Sequence, residues 1–86
     1  MNRDEIIEKL QSIFREFFGD DSITLTENTT ADEVEGWDSV SHIQLVFEAE
    51  ESFGIQFAAD DISQLTLIGK WADSISEMMA GNPNNK

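Results

Sequence analysis

At 86 residues the chain has the size of one small domain, which leaves no room for a catalytic cleft between two. A hydrophobic content of 40%, with six Phe, two Trp and a single Pro, excludes a disordered chain. Eighteen acidic against five basic residues give a formal charge of −13, which excludes nucleic acid and anionic membrane surfaces as partners and favours basic proteins.

The charge is unevenly placed. Between Arg15 and Lys70 there is no Lys or Arg, while thirteen acidic residues fall in that interval. The absence of cysteine removes disulfides and thiol-based metal or redox sites, and leaves the chain without a sulfhydryl of its own. The opening "MNRDEIIEKL" has early acids and no uninterrupted apolar run, so neither a signal peptide nor a transit peptide is expected. No stretch has the length of a membrane span, and a cytoplasmic protein without membrane insertion is expected.

From Asn2, the residues Ile6, Ile7, Leu10, Ile13, Phe14, Phe17 and Phe18 recur at helical spacing. Asn2 followed by Glu5 has the form of a capping box, and Gly19 closes the segment. Residues 19 to 37, "GDDSITLTENTTADEVEGW", show no helical period and form a long loop, with Ile23, Leu25 and Val34 as anchors onto the core. "SITLT" alternates like a strand, but nothing else in the chain is suited to pair with it.

A second helix is expected from Ser39 to Phe53, closed by Gly54. Its apolar arc is about 220° wide and takes in Ile43, leaving a narrow polar strip of Ser41, Gln44, Glu48 and Glu51 with Val40 and Phe47 at its margins. A short third helix is placed near Ala59 to Leu65. Ile68, Trp71, Ala72, Ile75, Met78 and Met79 define a last helix up to Gly81, beyond which "NPNNK" reads as a flexible tail. The expected fold is all-α: a small bundle of three long helices and one short helix, with a long loop between the first two, forming one domain over residues 1 to 80 and a tail over 81 to 86.

Asp38, Ser39 and His42 are the residue types of a hydrolytic triad, but no oxyanion-hole motif accompanies them, and His42 falls on the apolar arc as a partly buried, hydrogen-bonded ring. The twelve-residue calcium loop is absent, because "DDSITLTENTTAD" lacks the central Gly, and no metal site is expected. Trp37 reads as a plug that fastens the loop, and Trp71 with the Met78 and Met79 pair as core packing. Ser39 has two readings. It is a helix cap, or it is a hydroxyl displayed for modification at a helix start, where a phosphodiester would face unpaired N–H groups and the positive end of the dipole.

The stretch "GWDSV" at 36 to 40, followed by "IQLVFEAEESFGI" at 43 to 55, "DDISQL" and "TLIGKWADSI", resembles the acyl carrier proteins of the phosphopantetheine-binding carrier family over nearly the whole chain. The resemblance implies 4′-phosphopantetheine donated by coenzyme A and attached to Ser39. It also implies a non-enzymatic role in which acyl groups ride as thioesters on that arm and the bundle interior shelters an apolar chain. The implied partners are a phosphopantetheinyl transferase and acyl-loading, acyltransferase or synthase enzymes with basic patches, docking through Asp38, Val40, Phe47, Glu48 and Glu51 on a monomeric carrier.

Housekeeping fatty-acid carriers have acidic residues where this chain has Ser41 and Gln44, and a small residue where it has Trp37, so a specialised member is expected. An aminoacyl or peptidyl carrier is the nearest alternative. An unmodified acidic interaction module, in which Ser39 is only a cap, is the alternative from another class.

Overall fold

The computed structural model describes residues 2–80, and the tail expected at 81 to 86 lies outside them. Four helices follow in order: α1 (Arg3–Phe18), α2 (Ser39–Phe53), α3 (Ala59–Gln64) and α4 (Ile68–Ala80), with a 3-10 turn at Ala31–Glu33 inside the long loop. This is the small all-α bundle that the spacing predicts. α1 packs against both α2 and α4.

Local chemistry sets the helix limits. The Asn2 side chain accepts from the Glu5 N–H while the Glu5 carboxylate accepts from the Asn2 N–H, which satisfies two otherwise unpaired donors at the start of α1. α1 and α2 both stop at a glycine in the left-handed conformation, Gly19 (φ 64°) and Gly54 (φ 68°).

The α1 stripe is narrower than its sequence suggests. Ile6, Leu10 and Phe14, one every four residues, are fully buried, whereas Ile7, Ile13, Phe17 and Phe18 only lean against the core. Three full burials contribute about 5 to 9 kcal/mol before the entropy of ordering the helix is subtracted. At the centre stands Trp71, with no exposed surface, surrounded edge-on by Phe14 (5.8 Å), Trp37 (6.2 Å), Phe57 (5.9 Å) and the His42 ring (5.7 Å). Its indole N–H donates to the Leu65 carbonyl at 3.1 Å, so the ring is buried with its one polar atom paired.

The long loop is held by side chains from both flanking helices. Leu25 and Val34 are buried as anchors, and Ile23 is half-buried. Arg15 Nε donates to the Ile23 carbonyl (2.6 Å), and Gln11 Oε1 accepts from the Leu25 N–H (2.9 Å). These bonds hold the Ile23 carbonyl and the Leu25 N–H of "SITLT" without a partner strand. The isolated bridge of the described residues joins Thr30 to Leu67, and the adjacent N–H groups of Ile68 and Gly69 donate to Thr29 O (2.9 Å) and Glu27 O (2.8 Å), fastening the loop to the start of α4.

Candidate functional site

The loop delivers the chain to α2 through Gly36, whose φ of 90° is open to glycine and strained for other residues, and a side chain there would press on the Phe18 ring at 3.3 Å. Trp37 then turns inward, 7% exposed, its ring 5.1 Å from Phe14. It is the loop plug that the sequence suggests. Next comes Asp38, and the helix begins one residue after it.

Asp38, not Ser39, is the cap. Its Oδ1 accepts from the N–H groups of Val40 (3.0 Å) and Ser41 (2.9 Å), and the Asp38 N–H donates to Ser41 Oγ (2.7 Å), a reciprocal box in which serine takes the place usual for Glu or Gln. The Ser41 hydroxyl in turn donates to the Gly36 carbonyl at 2.8 Å. Hydrogen bonds from the Ser41 backbone and hydroxyl, and then from the Val40 backbone, hold the Asp38 carboxyl below its ordinary value, since each favours the charged form.

Two expectations change as a result. Ser41, assigned to the exposed polar strip, is 8% exposed, because the box draws it under the loop. The first-turn N–H groups of Val40 and Ser41 are taken by Asp38, so the helix start offers no ready cradle for an anion. Ser39, at the first helical position, is exposed, and its hydroxyl forms no hydrogen bond among the described residues.

His42 joins three elements. The Trp37 indole N–H donates to His42 Nδ1 (3.1 Å), and His42 Nε2 lies 2.9 Å from the Ile62 carbonyl. An indole nitrogen only donates and a carbonyl only accepts, which assigns the ring proton to Nε2. The Trp37 and His42 rings are also near-parallel, 18° apart at 6.0 Å. Both imidazole nitrogens are thus occupied by groups other than Ser39 and Asp38. The residues of the considered triad lie side by side but are not connected as nucleophile, base and orienter.

Beside this arrangement, a cleft of about 550 Å³ runs between α2, α3 and the loop; Trp37, His42, Ile43, Ile62 and Leu65 provide its apolar walls, and Asp38 and Ser39 also line it. On the outer face of α2, Val40 (69% exposed), Ile43 (44%) and Phe47 (64%) stand at positions i, i+3 and i+7, in one stripe. Gln44, Glu48 and Glu51 are exposed on the same helix. Ile43 is the residue missed by the sequence reading, which placed it inside the buried arc. Its spacing between Val40 and Phe47 is the signal that marks it.

The site thus sets an exposed, unbonded hydroxyl beside an apolar cleft. The sequence model of the family described as "Phosphopantetheine attachment site" matches residues 8–75. The chain is 34% identical over 80 residues to an acyl carrier protein of Guillardia theta, covering 93% of this chain and 99% of that one. It is 29% identical over 77 residues to an acyl carrier protein of Rubrobacter xylanophilus, covering 90% and 95%. Among solved structures, the holo acyl carrier protein from Geobacter metallireducens superposes with a TM-score of 0.80 at 38% identity, over 86% of this chain and 85% of that one. The matched region takes in the loop plug, the Asp38 cap, the free serine and the cleft together, and on that evidence the chain belongs to the acyl carrier proteins, a family organised around phosphopantetheine attachment.

Proposed function

We propose that Ser39 is the attachment point for 4′-phosphopantetheine and that the chain carries acyl groups as thioesters between enzymes of fatty-acid, polyketide or related lipid or surface-polymer synthesis. One observation supports this above the rest: in a first turn where Asp38 and Ser41 are fully engaged with each other, the Ser39 hydroxyl is exposed and unbonded. In the loading step the Ser39 oxygen bonds to the pantetheine-side phosphorus of coenzyme A, and the pyrophosphate link breaks. Adenosine bisphosphate leaves, and a separate transferase accepts the hydroxyl proton.

The group supplies the thiol that a chain without cysteine lacks. The chain's own part is presentation. Asp38 fixes where the helix begins and therefore where Ser39 points, and tethering raises the local concentration of cargo at each partner enzyme. The stripe of Val40, Ile43 and Phe47, edged by Glu48 and Glu51, supports docking by transferases and synthases with apolar contacts rimmed by basic residues.

A specialised rather than housekeeping role is favoured by Gln44 and by Trp37, which is built into the core at the position before the cap. Among the described residues no helix is long and apolar enough to cross a membrane. Incubation with coenzyme A and a broad-specificity phosphopantetheinyl transferase tests the reading. Intact mass is expected to rise by one phosphopantetheinyl group, and an unchanged mass would leave an unmodified interaction module as the better account.

A further inference from the structure

Three residues that line the cleft beside Ser39, Trp37, His42 and Leu65, are backed by Trp71, which has no exposed surface, touches the first two rings and donates to the Leu65 carbonyl; Phe14 and Phe57 pack around it. The route between α2 and α3 toward that centre is crossed by His42, whose Nε2 reaches the Ile62 carbonyl at 2.9 Å. Among the described residues this is the one hydrogen bond that joins α2 to α3. The other ring nitrogen is locked to the Trp37 indole at 3.1 Å, so the tie runs from the loop through α2 to α3. An apolar chain entering the bundle between α2 and α3 would have to part the two helices and leave His42 Nε2–H and the Ile62 carbonyl without partners in apolar surroundings, a costly state for polar groups.

We propose that the Trp37–His42–Ile62 tie determines cargo specificity, sealing the interior so that a compact acyl group is covered in the cleft against Ile43, Ile62 and Leu65 while a long one is left protruding. The inference rests on Ser39 as the attachment point. His42 and Trp37 act here as positioning residues, holding α3 closed.

The test loads the carrier with hexanoyl- and dodecanoyl-phosphopantetheine and compares melting temperatures, with the Trp37 indole N–H followed by NMR. In the wild type the melting temperature is expected to rise with hexanoyl and to rise no further with dodecanoyl, the indole signal being the same in both. In His42→Ala, dodecanoyl is expected to stabilise more than hexanoyl. Trp37→Phe keeps an aromatic plug and removes the N–H, and the same pattern of melting temperatures is expected. A wild type whose melting temperature climbs with chain length as steeply as that of the variants, or whose indole signal moves with dodecanoyl, would overturn the seal. Loading is read separately by intact mass, so a chain that gains no group overturns the attachment instead. In that event free dodecanoyl-pantetheine titrated into the unmodified chain decides the seal by the same indole signal: unmoved, the seal stands; shifted, it falls.

Discussion

α1 and α2 begin with the same device and differ in the residue it leaves over. At α1 the Asn2 carboxamide and the Glu5 carboxylate each accept from the other's N–H, at 2.8 and 3.1 Å; at α2 Asp38 and Ser41 do so at 2.9 and 2.7 Å. The first helical residue of α1 is Arg3, which pairs with Asp73 and, at 3.9 Å, with Glu27. That of α2 is Ser39, whose hydroxyl bonds to nothing among the described residues. Helix capping therefore accounts for Asp38 and Ser41 and leaves Ser39 without a structural task. A position that the fold does not use is one that attached chemistry can occupy without loss of stability.

The sharpest way to break this contrast is to exchange the two serines for alanine one at a time. Ser39→Ala is expected to abolish the mass gain from coenzyme A completely while keeping stability within about 0.5 kcal/mol of the wild type, as at other exposed positions. A large drop in melting temperature would show that Ser39 has a structural role after all. Ser41→Ala is expected to do the reverse. It leaves the Gly36 carbonyl and the Asp38 N–H short of a partner under the loop, which costs about 1 to 3 kcal/mol in chemical denaturation, while the mass gain persists.

Asp38→Ala comes next and should lower the melting temperature at neutral pH, because Val40 and Ser41 lose their acceptor. The effect carries a pH signature. Since the folded carboxyl is held below its ordinary value near 3.8, its contribution is complete above that value and fades as pH falls through the lower folded value. The gap between wild type and Asp38→Ala in thermal melts is therefore expected to narrow below about pH 4. A gap that is constant from pH 7 to pH 3 would mean that the cap does not depend on charge.

The smallest effects are expected on the outer face of α2. Glu48→Lys with Glu51→Lys should slow loading by a few-fold and weaken its dependence on salt, because exposed charges act mainly on association rate. Stability should hardly change. Loading kinetics identical to wild type at low salt would remove these two acids from the docking surface.

Features governed by neighbouring residues were legible in the sequence. The Asn2–Glu5 box, the glycine stops at Gly19 and Gly54 and the limits of α2 depend on contacts within one turn, and all were found where the residue types put them. Assignment of the cap between Asp38 and Ser39 was not legible, since both are good cap residues and only backbone geometry separates them. Ser41 followed from that ambiguity: with the cap placed one residue late, the box that buries it was invisible. The "SITLT" segment looked like a strand without a partner because its hydrogen bonds go to Gln11 and Arg15, side chains on another element. The Ile62 carbonyl that fixes His42 is twenty residues away and left no trace in spacing.

On the proposed function, Ser39, one of two serines in a single helical turn, carries the prosthetic group. Fragmentation of the loaded protein by tandem mass spectrometry, resolving position 39 from position 41, tests it most directly. The added mass is expected on Ser39 alone; its appearance on Ser41, or on any other residue, would contradict the account.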